Sequence, residues 1–78
     1  MKVKLKKAKW DDLKVGDTVI FKDGNVGIVA NKGKTLIHKH EYIEIEYLAE
    51  TLYGVNLFKQ KYLRCDYPNL PFFRIIIK

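Results

Sequence analysis

Histidine and cysteine are the side chains of this sequence best suited to metal or nucleophilic chemistry, and there are few of them. His38 and His40 lie two residues apart in "LIHKH", so in a strand both rings would project from one face and could share a metal ion. Two ligands do not complete a site, and Glu41 would point to the opposite face. We therefore expect no metal site, and we interpret the pair as surface histidines beside Lys39.

Cys65 is the one cysteine of the chain, so an internal disulfide is impossible and a reducing cytoplasm is the expected compartment. Its thiol lies between Arg64 and Asp66, where a nearby cation could activate it. The alternation of "LFKQKYLRC" instead predicts a strand with a half-buried cysteine. We therefore predict no catalytic residue and no cofactor.

The elements that must position any site are short strands. "TVIFK" and "VGIVA" flank the Asp-Gly pair at 23–24, which is a strong hairpin signal because both residues tolerate positive φ. "NKGK" at 31–34 predicts a second turn, centred on Lys32–Gly33, that leads into "TLIHK". We therefore expect a three-stranded antiparallel meander over residues 18–39.

The second half of the chain predicts more strands and one short helix. Ile43, Ile45 and Tyr47 alternate with glutamates, which favours a strand over about 41–47. A helical turn is expected over 48–53, with Gly54 as its C-cap, from the helical spacing of Ile45, Leu48, Ala49 and Leu52. "LFKQKYLRC" and "FFRIII" predict two further strands, separated by the prolines of "DYPNLP".

The net charge of +6 is concentrated at the N-terminus. Residues 10–78 hold ten Lys and Arg against nine Asp and Glu, so the body of the chain is nearly neutral. We interpret residues 1–9 as a basic arm or edge strand and residues 10–78 as the folded domain. The arm could contact nucleic-acid phosphates without reading sequence, or simply form a solvated edge, through Lys2, Lys4, Lys6, Lys7 and Lys9.

Aromatic residues make up 13% of the sequence, more than so small a core needs. A core position is expected for the phenylalanines, which are Phe21, Phe58, Phe72 and Phe73. Tyrosine and tryptophan combine an apolar ring with a polar group and suit an interface. We therefore predict contact with a partner for Trp10, Tyr42, Tyr53, Tyr62 and Tyr67.

Five or six short strands and tight turns in 78 residues indicate a mainly all-β chain folded as a small, strongly bent antiparallel barrel with one short helical turn. The stretch "LKVGDTVIFKDGNVGIVANKG" resembles the start of SH3-like barrels, including the KOW type, in which a "GD-V" turn opens a strand and a glycine hairpin follows. Members of that group bind RNA, DNA, ribosomes or proteins. The resemblance implies a binding module on residues 10–78 without choosing its ligand.

A second resemblance concerns the longer stretch "VGDTVIFKDGNVGIVANKGKTLIH". It is similar to the second half of NlpC-type cell-wall peptidases, whose "HVGI" strand carries the histidine that accepts a proton from a catalytic cysteine. Asn25 stands at that histidine position here, and no cysteine lies upstream of it. The resemblance therefore implies at most a degenerate, binding-only relative.

The sequence as a whole favours a non-enzymatic, cytoplasmic binding module that engages a protein partner, including self-association, through its aromatic residues. Nucleic-acid binding through the lysine arm and a degenerate peptidase fold are the alternatives. No membrane segment is expected, because no apolar run approaches the roughly 20 residues that a span needs. The Lys-rich and Ile-rich composition is typical of AT-rich genomes, which favours a phage or mobile-element origin.

Overall fold

The structure of the protein, a computed structural model, describes residues 2–77. Within this range, one antiparallel sheet with the strand order β1-β6-β2-β3-β4-β5 curls into a half-barrel. Its six strands, β1 to β6 in chain order, span Val3–Lys7, Thr18–Phe21, Val26–Lys34, Glu41–Thr51, Gly54–Leu63 and Phe72–Ile77. The prediction of a small, all-β, barrel-like fold is confirmed. The first residue of the predicted arm and the last residue of the predicted domain lie outside the described residues.

The hairpin between β2 and β3 forms where the sequence predicts it. Gly24 adopts a φ of 93°, and the amide of Phe21 donates to the carbonyl of Asn25 at 2.8 Å. The Asp23 carboxylate accepts the amide of Asn25 at 3.0 Å and so fixes the turn from inside. The Asp-Gly pair therefore sets the register of β2 and β3, in which Ile20 pairs with Val26.

The predicted turn at 31–34 is wrong, because β3 continues to Lys34 and pairs with β4 along this whole segment. The register shifts between Val29 and Asn31, so a bulge at Ala30 takes up one residue and re-aims the strand. Gly33 lies beside the ring of Tyr42, where a Cβ atom would come within 3.3 Å of the ring. The chain turns at 35–40 instead, so "TLIHK" is not a strand.

The predicted helical turn over 48–53 is also wrong. β4 runs on to Thr51, and Leu48 and Ala49 pair with Leu57 and Asn56 of β5. Gly54 does take a positive φ of 105°, but it does so in the hairpin turn rather than at a helix C-cap. The apolar residues with helical spacing belong to a strand and the turn that follows it. Pairing of β4 with β5 outweighs the local helical pattern.

The hydrophobic core lies on the inner, concave face of the half-barrel. It contains Ala8, Trp10, Leu13, Val19, Val29, Ile43, Ile45, Tyr62, Leu70 and Phe72. Several of these residues come from the two irregular segments 8–17 and 64–71, which cover one end of this face. The indole N–H of Trp10 joins the two segments by donating to the carbonyl of Tyr67 at 2.7 Å. Within residues 2–77, no helix has the length and apolar character needed to cross a bilayer.

Candidate functional site

The residues that sequence analysis assigned to partner contact do not lie together. Trp10 and Tyr62 are each only 4% exposed and belong to the core, so they are not the exposed aromatics that the sequence suggested, and their contact with a partner stays a prediction. Trp10 is buried because its N–H finds a carbonyl partner, and Tyr62 because its ring packs edge-on against Tyr67 and Phe72, with centroids 5.0 and 5.5 Å away.

The other three predicted contact residues are accessible, each at a different place. Tyr53 is almost fully exposed at the tip of the β4–β5 hairpin. Tyr42 is half-buried in β4, with the ammonium of Lys61 4.6 Å from its ring centroid. Tyr67 keeps part of its ring in solvent within the 64–71 segment. A single surface that includes all five predicted aromatics therefore does not exist in this fold.

The predicted basic arm is an edge strand, β1, hydrogen-bonded along its length to β6. All five lysines are exposed, and those within β1 divide between the two faces of the sheet: Lys6 pairs with Arg74, whereas Lys7 pairs with Phe73. Lysine on an edge strand discourages pairing with a second sheet, so these exposed lysines do not by themselves imply a ligand. The lysines remain accessible to phosphates, and their contact with nucleic acid stays a prediction.

The side chains with potential chemistry are scattered. His38 and His40 lie at the 35–40 turn, not in a strand, with ring centroids 5.7 Å apart. Among the described residues no group of three or more His, Cys, Asp or Glu side chains is placed to hold a metal ion. Cys65 is a free, exposed thiol in the turn after β5, so the prediction of a half-buried strand cysteine is wrong.

A concave pocket of about 250 Å³ opens at the uncovered end of the inner face. Its walls include the rings of Phe21, Tyr47 and Phe58. The centroid of the Tyr47 ring lies 5.3 Å from that of Phe21 and 5.7 Å from that of Phe58. We call this the aromatic pocket. Its polar lining is Asp23, Asn25, Glu50, Thr51 and Gln60.

The charged groups that line the aromatic pocket are the carboxylates of Asp23 and Glu50. Burial is the main reason that the pKa of the neighbouring Tyr62 is raised to about 12; the phenol groups of Tyr47 and Tyr67 add to the shift, and Asp23 adds least. The carboxylate of Asp23 is held by two donors from Asn25, the backbone amide at 3.0 Å and the side-chain amide at 3.2 Å. The site can therefore combine ring faces with an oriented carboxylate.

A second feature, on the convex side of the same sheet, is apolar. Side chains that alternate with the core residues project outward, and strand pairing places Ile20 beside Val26 and Phe73, and Leu48 beside Leu57. A groove of about 420 Å³ runs between β3, β4 and β5 on this side. We call this surface the outer apolar face; its residues are Ile20, Val26, Ile28, Leu48, Leu57 and Phe73.

Sequence analysis missed both features, although the outer apolar face leaves a signal. The apolar residues of "TVIF", "VGIVA" and "FFRIII" occur as runs rather than in strict alternation, which is typical of strands covered on both faces. The aromatic pocket is harder to foresee because Tyr47 and Phe58 become neighbours only through the register of β4 and β5.

Comparisons of the chain with protein-family models, with curated proteins and with solved structures found no match. The half-barrel is compatible with an SH3-like barrel. The finer resemblances, to the KOW type and to NlpC-type peptidases, receive no support from these comparisons.

Proposed function

We propose that the protein is a non-enzymatic binding module that works through protein–protein association, and that its outer apolar face binds a second copy of the chain. The observation that carries this proposal is the exposure of large apolar side chains on the outer face of neighbouring strands β3, β4 and β5. Ile28 is 52% exposed, and Leu48 and Leu57 are each 60% exposed. Contiguous apolar surface of this kind on a small protein marks an interaction site.

The total surface area supports an occupant of about the same size as the chain itself. The chain exposes 5879 Å², whereas a compact monomer of 9.2 kDa is expected to expose about 4,900 Å². The excess of roughly 1,000 Å² is close to the ~800 Å² that each partner contributes to a standard protein–protein interface. One further copy packed on the outer apolar face would bring the exposed area per chain to that of an ordinary globular protein.

Charge also favours a second copy over a strongly charged partner. Four side chains of the outer apolar face line the groove, which are Val26, Ile28, Leu48 and Leu57. The one acid in its lining, Glu46, is already paired with Lys59 at 3.3 Å. A self-complementary apolar patch of this kind fits a two-fold interface, in which each copy presents the same residues. The convex shape of the half-barrel leaves the aromatic pocket free on the opposite face.

The non-enzymatic part of the proposal rests on Asn25, which stands where the resembled peptidases have a proton-accepting histidine. Its side-chain amide donates to Asp23 and does not titrate in water. Cytoplasmic location and a phage or mobile-element origin remain interpretations of the composition.

The test of this proposal introduces a positive charge in place of a leucine, at one position inside the outer apolar face and at one outside it. We expect sedimentation equilibrium of the purified protein at about 100 μM to give twice the monomer mass of 9.2 kDa. Leu48→Lys should give the monomer mass, because two copies would bury facing ammonium groups without partners. The matched control is Leu36→Lys: Leu36 is 90% exposed in the 35–40 turn, outside the outer apolar face, and its replacement should leave the dimer intact.

A wild-type monomer at that concentration would contradict the proposal, and so would a dimer that both variants retain. An absorbance ratio that reveals co-purified nucleic acid, with the mass falling after nuclease treatment, would instead favour the lysine-strand alternative. Dispersed amide NMR spectra of both variants confirm that each one is folded.

A further inference from the structure

The aromatic pocket has no use in the proposed dimer, since it opens on the opposite face of the sheet. Tyr47 and Phe58 project inward from β4 and β5, whereas their neighbours Leu48 and Leu57 project outward. The two surfaces can therefore be occupied at the same time and tested separately. What the pocket could hold follows from its walls, its charge and its size.

The walls of the pocket present aromatic faces. Tyr47 and Phe58 are close to parallel, with 22° between their ring planes, and Phe21 is tilted by 59° against Tyr47. The negative face of a benzene-type ring attracts a cation that lies within about 6 Å of its centroid. Three rings around one opening therefore favour a flat or compact cationic group over an anion.

The charged side chains at the pocket also favour a cationic ligand. Asp23 is a carboxylate held in place by Asn25, and no Lys or Arg is among the residues that line the pocket. Lys22, the next residue in the chain, lines a different depression together with Lys7 and Pro71. Glu50 is also a lining residue, but its strand position alternates with those of the inward-facing residues, so the argument depends on Asp23. On a chain of net charge +6, this pocket is a local negative site.

The size of the pocket selects a side chain rather than a whole small molecule. Its volume of about 250 Å³ lies below the ~300–1,000 Å³ of sites that enclose drug-sized ligands. A side chain that reaches in from a partner fits a space of this size. Gln60 and Asn25 add amide oxygens at the wall, which can accept further N–H groups.

We propose that the aromatic pocket is a recognition site for an arginine side chain presented by a protein partner. The guanidinium group is planar, so it can stack on the rings of Tyr47 and Phe58 while its N–H groups donate to Asp23 and to the Gln60 amide oxygen. A phosphate or a nucleotide is disfavoured because Asp23 would repel it. A purely apolar side chain is disfavoured because it would take water away from the Asp23 carboxylate without offering a compensating charge or hydrogen bond.

The experiment is a titration followed by amide NMR, with two probes of the same shape. N-acetylarginine amide carries the guanidinium, and N-acetylcitrulline amide replaces it with a neutral urea group. We expect the arginine probe to bind in the millimolar range and to shift the amides of Tyr47, Phe58 and Gln60. The citrulline probe should bind at least about tenfold more weakly, because hydrogen bonds to a charged group are the stronger ones.

Two variants test the two halves of the site. Asp23→Asn keeps an oxygen that can accept the Asn25 amide, so the turn is retained while the charge is lost, and arginine affinity should fall about tenfold. Phe58→Leu removes one ring face and should lower the affinity about two- to fivefold. The control is Asp12→Asn, an exposed carboxylate outside the pocket, which should bind arginine as the wild type does.

The outcomes separate this proposal from that of the dimer. Leu48→Lys should bind the arginine probe with unchanged affinity whether or not it disrupts association. Equal binding of both probes, or shifts in the pocket caused by oligothymidylate instead, would overturn the arginine assignment. The absence of any shift at about 50 mM probe would overturn the site altogether.

Discussion

The single residue Lys32 joins an irregular segment to the sheet through hydrogen bonds of its side chain. Its ammonium group donates to the carbonyl of Trp10 at 2.6 Å and to that of Leu13 at 2.7 Å, so it closes the 8–17 segment under β3. These carbonyls end a turn that places two core side chains, and without the ammonium group neither would have this partner. Lys32 pairs with the core residue Ile43 of β4, so its side chain leaves β3 on the face that carries the core and can reach the turn from there.

Lys32→Met should therefore destabilise the protein although it removes a charge from a cationic chain. Loss of two hydrogen bonds from a charged donor, partly replaced by water, should lower the free energy of unfolding by about 1.5–3 kcal/mol. Urea denaturation followed by the Trp10 fluorescence measures this. Lys34→Met, two residues along the same strand, is the matched control and should change stability by less than about 0.5 kcal/mol. Equal midpoints for both variants would show that the Lys32 contacts contribute nothing.

Residue type alone predicts the character of the aromatic side chains but not their place. Trp10 and Tyr62 have the polar groups that suit an interface, yet each is buried, because tertiary contacts satisfy the indole N–H and enclose the phenol ring. Phe58, expected in the core, is instead a wall of the aromatic pocket. Such assignments depend on contacts between residues distant in sequence, such as the 57-residue separation of Trp10 from Tyr67.

At the scale of elements, turn chemistry was decisive only where no sheet pairing competed with it. The Asp-Gly hairpin of β2 and β3 was predictable because the local φ preference and the strand pattern agree. The Asn-Lys-Gly-Lys segment at 31–34 has equally good turn residues, but β4 offers it a full ladder of partners across a bulge at Ala30. A bulge is a response to the neighbouring strand, so the sequence of β3 alone does not reveal it.

The edge strand β1 carries the nucleic-acid alternative, and salt dependence tests it. If all five lysines contact phosphates, the log–log slope of affinity against salt should lie between about −3.5 on single strands and −4.5 on duplex. Removing residues 2–9 would be a poor test, because Ala8 is a core residue and β1 pairs with β6. The better variant changes only the exposed heads, to Gln, at Lys2, Lys4, Lys6, Lys7 and Lys9.

This variant should lose most of the salt dependence if the strand binds nucleic acid. The control has the same charge change at exposed lysines elsewhere, with Gln at Lys14, Lys22, Lys34, Lys39 and Lys61. Electrophoretic shifts of random DNA and RNA at several salt concentrations give the slope. If the wild type produces no shift at about 50 mM salt, the nucleic-acid alternative fails.

The whole molecule combines a thin core with an uncovered sheet face. The fold class follows from composition, short apolar runs and turn residues, and was predictable for that reason. What the sequence did not reveal is how thin the core is. Among the described residues the core cluster has ten buried members, and the molecule measures 37 × 35 × 18 Å. A flat, half-closed barrel of this size would gain stability from a partner that covered its second face.

The stability of the protein should therefore depend on its concentration. If the outer apolar face is buried in a dimer, unfolding releases two chains, and a tenfold rise in protein concentration adds about 1.4 kcal/mol per dimer to the free energy of unfolding. Shared between two chains of this length, that corresponds to a rise in Tm of about 3–5 °C. Scanning calorimetry between about 10 and 100 μM measures it. Leu48→Lys should unfold at a lower Tm that no longer changes with concentration, whereas Leu36→Lys should keep the wild-type dependence. A wild-type Tm that is constant over this range would mean that the sheet face is stable without a second copy.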